Sequence, residues 1–191
     1  MKIIVGAVMA LSLVGTAWAQ APSPQGAPGA PDNAGGPPRG QGGPRQPEVV
    51  APSIPIDLAL AAVKAAVAAC STFHFGMAIL DQSGQPKLIY VMDDSSGAHA
   101  ARAAGKASAA LLINGPSQGL NDRAKADPEI AAKVQASREK GTPMMAMAGG
   151  LPIVSPSGEA LGALGVSGAE PGGHDPECAA AAMKVIQAQL K

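Results

Sequence analysis

Aromatic side chains are nearly absent from this 191-residue chain, which has one Trp, one Tyr and two Phe. Its core must therefore be assembled from Ala, Val, Leu, Ile and Met, with helices packed closely. An excess of one charge is absent as well, because 14 Lys and Arg balance 14 Asp and Glu. That balance lacks the basic footprint that nucleic acid attracts.

Catalytic signatures are missing too. The chain has no Gly-x-Ser-x-Gly, no Cys-x-x-Cys, no His-Glu-x-x-His and no phosphate loop. It also has no Cys-x-x-Cys-His for covalent haem attachment. Ser167 in "GVSG" has neighbours that suit a strand end rather than a strand-to-helix elbow. These absences point away from an enzyme that works with its own side chains, although a cofactor could supply chemistry.

What is present begins at the N-terminus. Lys2 stands before the apolar run "IIVGAVMALSLVG", which is followed by "TAWAQA". A basic start, a short apolar stretch and small residues at Ala17 and Ala19 have the form of a secretory signal peptide, residues 1–19. The run is short for a membrane span, and no cysteine follows it for a lipid anchor; an uncleaved anchor is the alternative. The expected location is periplasmic or extracellular. Residues 20–52 are dominated by Pro and Gly and have little to bury, so they are expected to form a disordered linker. A single folded domain is expected over 53–191.

Within that domain Asp57 is expected to cap a helix with Leu60, Val63, Val67 and Cys70 on one face. Strands are expected at about Gly76–Leu80 and Lys87–Met92, turning at Ser83-Gly84, before an alanine-rich helix over about Ala98–Ile113. Asp127-Pro128-Glu129 and Asp175-Pro176-Glu177 each place an acid, a proline and a second acid at a helix start. The first of these helices should stop at Gly141. The second should present Met183, Ile186 and Leu190 on one face. Between them "PMMAMAGGLPIV" and "EALGALGVSG" form a second hairpin turning at Pro156-Ser157-Gly158. This order predicts an α/β (α+β) domain, an antiparallel sheet of four or five strands with helices packed on it.

The stretches Asp81 to Gly84, Arg102 to Ala107, Gly149 to Ile153 and Gly162 to Gly168 give the chain a recognisable pattern. It resembles the GlcG/HbpS-type haem-binding family over about Ile56 to Gln189. The resemblance implies a profilin-like or PAS-like fold, assembly into homo-oligomers and non-covalent haem binding in exported members. In some members it also implies a membrane sensor partner. Other members accompany glycolate or diol metabolism, so a small carboxylate bound without iron is an alternative, and haem degradation a third.

Haem iron needs an axial donor, and its propionates favour Arg or Lys. His99, Arg102 and Lys106 fall at i, i+3 and i+7 on one helix, which suits an iron ligand with two propionate partners. The competing reading pairs Arg102 and Lys106 with acids such as Asp93 and Asp94 and leaves His99 exposed. His74 between Phe73 and Phe75 suits an alternation with the rings buried and the imidazole solvated, and His174 belongs to a loop before a helix. Met144, Met145 and Met147 suggest copper(I) less than core packing, with Met145 and Met147 on one face of a strand. Gly150 and Gly168, at strand ends, could turn backbone amides toward a carboxylate, whereas Gly162 and Gly165 suit close packing. Cys70 and Cys178, at the end of the first helix and the start of the last, are expected to form a structural disulfide if these helices pack antiparallel.

Overall fold

The structure, a computed structural model, describes residues 50–171 and 173–190. The expected signal peptide and the linker as far as residue 49 lie outside them. The end of the expected linker touches the domain, since the Pro52 carbonyl accepts a hydrogen bond from the Gln82 amide at 3.0 Å.

The chain runs through α1 (Ile56–Ala69), β1 (Gly76–Leu80), β2 (Pro86–Val91) and α2 (Gly97–Ile113). After a short 3-10 turn at Ser117–Gly119 come α3 (Leu120–Ala126), α4 (Pro128–Glu139), β3 (Gly150–Val154), β4 (Ala160–Ser167) and α5 (Asp175–Gln189). The strands make one antiparallel sheet in the order β2-β1-β4-β3. The expected α+β class is therefore observed, with four strands, and α3 is a helix that periodicity did not announce.

Strand alternation divides the core. Met77 and Ile79 of β1, Leu164 and Val166 of β4 and Ile153 of β3 pack with α1 and α5 on one face. Ala59, Ala62 and Ala66 of α1 meet Ala179 and Ala182 of α5 in the same cluster, where small side chains let two helix backbones approach. On the other face lies α2. A Cβ at Gly165 would overlap the Ala103 carbonyl, and one at Gly150 would overlap the Lys106 carbonyl. These glycines seat the α2 backbone against the sheet, so Gly150 does not offer a surface to a ligand.

Several local expectations need correction. The N-cap of α1 is Pro55, and Asp57 sits in the first turn, where its charge still favours the helix dipole. The buried face of α1 is Leu58, Ala59, Ala62, Val63 and Ala66, while Leu60 is 46% exposed. Asp127 caps α4 as expected, accepting from the amides of Glu129 and Ile130, but Asp175 does not cap α5. Its carboxylate is turned into the domain. Residues 142–146 form no strand, so Met145 and Met147 share no strand face. Their backbone bonds go to helices: Met145 N donates to Gly105 O at 3.0 Å, and Met144 N to Ser137 Oγ at 3.2 Å.

Candidate functional site

Serine 96 caps α2, its Oγ accepting from Ala98 N at 3.1 Å, and so fixes where His99 enters the first turn. The His99 ring is half-buried, with Nδ1 3.0 Å from Ser95 Oγ. Gly168 has φ +106° and lies so close that a Cβ there would overlap the ring. That contact explains Gly168, which serves the imidazole edge rather than a ligand carboxylate. Nε2 makes no hydrogen bond to the described residues.

Lys106 was expected to share a ligand-facing surface with His99 and Arg102, but its side chain turns into the domain while Arg102 stays exposed. Lys106 is 1% exposed, and its Nζ donates to Asp175 Oδ2 at 2.6 Å and to the Val166 carbonyl at 3.1 Å. The other Asp175 oxygen accepts from Ala169 N at 2.8 Å. An ammonium so enclosed is committed to an internal pair and is not presented to a propionate at the surface. Asp93 and Asp94 play no part in it.

Arg102 is exposed and makes no ion pair among the described residues. It lines a groove of about 630 Å³ over the outer side of α2, with Ala101, Ala104 and Gly105 as floor and Met144 and Met145 on a wall. A second groove, about 490 Å³, runs between α1 and the edge strand β2. Leu60, Val63, Val67, Leu88 and Tyr90 line it, with Lys64 as its one charged group. His99 lines neither groove, so the structure separates it from both. No group of three His, Cys, Asp or Glu among the described residues could hold a bare metal ion.

The other histidines are held by local contacts. His74 is exposed, with Nδ1 3.1 Å from the Asp93 carbonyl, and Phe75 is buried as the alternation predicted, whereas Phe73 is only half-buried. His174 stacks on Phe73 at 4.6 Å and contacts Glu177 at 2.7 Å. Cys70 and Cys178 form a disulfide with a Cα separation of 5.8 Å. Sequence reasoning missed Asp175 as the partner of Lys106, Tyr90 and Lys64 in the α1–β2 groove, and Ser117. Buried Ser117 accepts from Gly150 N at 2.9 Å and donates to the Met147 carbonyl. None of these pairings has a local sequence signal, although the patterned but exposed Leu60 marks one groove wall.

Residues 54–184 match the family described as haem degrading protein HbpS-like. No curated protein matches the chain. Among solved structures HbpS is 25% identical with a TM-score of 0.57, over 75% of this chain and 97% of that one. A double mutant of Streptomyces reticuli HbpS gives the same identity and TM-score over 94% of its chain. The PduOC protein in its haem complex is 21% identical with a TM-score of 0.56, over 70% of this chain and 94% of that one.

Proposed function

This chain belongs to the HbpS-like family, and we propose that it is an exported protein that binds haem non-covalently, as part of haem storage or sensing. The observation that supports haem is a pairing of apolar concave surface with isolated cations. Each groove is lined by one cation, Lys64 or Arg102, and by no acid. A porphyrin is an apolar plate carrying carboxylates, and it matches that pattern. Haem would supply an iron with axial positions open to a protein donor. Two side chains suited to that role make no bond to the described residues through their donor atoms: His99 at Nε2 and Tyr90 at its hydroxyl. The reading extends to homo-oligomers and to a membrane sensor partner.

Haemin titration of the purified chain tests it. A saturable shift to a sharp Soret band at one haemin per chain is the expected result, and a broad, unsaturable change overturns it. His99→Ala tests the imidazole, since an unchanged spectrum places the donor elsewhere. Adding a reductant tests degradation, which would release iron or an open tetrapyrrole. One observation favours a second reading, a small carboxylate bound without iron: Arg102 makes no ion pair among the described residues and lines an otherwise uncharged groove. Calorimetry with small carboxylic acids, showing heat that Arg102→Ala removes, would support it.

A further inference from the structure

We propose that the groove between α1 and β2 is the porphyrin site, with the Tyr90 phenol as iron donor and the Lys64 ammonium as propionate partner. The inference rests on the haem reading above and names the site within it. Three observations carry it.

The first is the composition of the walls. Leu60, Val63 and Val67 come from α1 at helical spacing, and Leu88 and Tyr90 stand two apart on β2, on the same side of the sheet. Two rigid elements thus present facing apolar surfaces around about 490 Å³, within the range of pockets that enclose small molecules. The second is that this surface is uncovered. Leu60 is 46% exposed, and Val67, Leu88 and Tyr90 are only partly buried. An apolar wall left open to water on a domain with an otherwise complete core calls for an occupant.

The third is the polar content. The Tyr90 side chain packs against the core, while its hydroxyl bonds to no described residue and is not a buried unpaired group, so it is open to a ligand in the groove. Tyrosinate is an established haem iron donor. Lys64 adds one exposed ammonium on the same helix, without an acid beside it in the lining. One oxygen donor, one cation and a dry wall are the groups that an iron porphyrin uses. The α2 groove has no phenol or imidazole in its lining, where Gln85, Ser108, Ser137 and Thr142 accompany Arg102 and two thioethers, and His99 lines neither groove.

Ferric haemin titrations of the full chain, wild type and variants, followed by absorption and electron paramagnetic resonance, test the proposal. Wild type is expected to show the tyrosinate-to-iron charge-transfer band, and Tyr90→Phe, which removes only the hydroxyl, is expected to lose it. Val67→Trp, which fills the groove, is expected to abolish saturable binding. Lys64→Glu should raise the haemin Kd and reduce its dependence on salt. Circular dichroism identifies variants that have not folded, and Tyr90→Phe decides the matter if Val67→Trp is among them. Saturable wild-type binding whose spectrum survives Tyr90→Phe but is lost in His99→Ala would overturn the site and leave the haem reading intact. Unsaturable wild-type binding would instead remove the haem reading itself.

Discussion

The Lys106 ammonium and the Asp175 carboxylate meet at 2.6 Å inside the domain, joining the middle of α2 to the first residue of α5. Both residues are buried, and each makes one further hydrogen bond, Lys106 to the Val166 carbonyl and Asp175 from the Ala169 amide. Such a pair contributes little net stability compared with apolar residues, but losing one partner strands a charge in low dielectric. Lys106→Met alone is therefore expected to destabilise the fold by about 3–5 kcal/mol. Lys106→Met combined with Asp175→Asn should recover much of that loss, because the Asn oxygen can still accept from Ala169. Urea denaturation of the single and double variants measures both values.

The same pair shows where the sequence was legible and where it was not. Asp127-Pro128-Glu129 and Asp175-Pro176-Glu177 are identical in form, and the first caps its helix as written. The second is diverted because a cation lies 69 residues away in sequence and beside it in space, information that no local motif contains. The helix carrying His99, Arg102 and Lys106 was legible, but not that Lys106 would turn inward while Arg102 stayed exposed. Which side of α2 is buried depends on Gly150 and Gly165 of another hairpin accepting the helix backbone. Alanine-rich α1 carried too little contrast between its sides to reveal its buried face, and Leu60 was therefore assigned to the core. Met144 to Met147 alternate like a strand, but both sheet edges lie elsewhere and their amides bond to helices.

Asp81, in the turn between β1 and β2, makes stability depend on acidity. Partial burial acts to raise its pKa, but the Ser83 hydroxyl and the amides of Gln85 and Ser83 outweigh it and hold the carboxyl below its ordinary value. A group with a depressed folded-state pKa stabilises the fold at any pH above its unfolded value. That contribution is lost as pH falls through the folded-state value. Asp81→Asn should therefore lower stability at neutral pH and converge with wild type in strong acid. Denaturation midpoints of the two proteins across the acid range check the sign, and a constant difference would count against it.

The disulfide between Cys70 and Cys178 ties the last turn of α1 to the first turn of α5 across a sequence separation of 108 residues. A closed loop of that length restricts the unfolded chain enough to stabilise the fold by at most about 4–5 kcal/mol in the chain-entropy account. Replacing both cysteines with serine should lower stability by up to that amount, read from denaturation in the absence of reductant. The tie also bears on binding, because α1 supplies Leu60, Val63 and Val67 to one wall of the α1–β2 groove. The far side of α1 is held to α5 by alanine contacts, which are short but contribute little apolar area each. If the disulfide is what keeps the wall in place, the serine variant will bind haemin more weakly than its folded fraction predicts. If affinity falls only in step with the folded fraction, the alanine packing alone positions the wall and the disulfide serves stability.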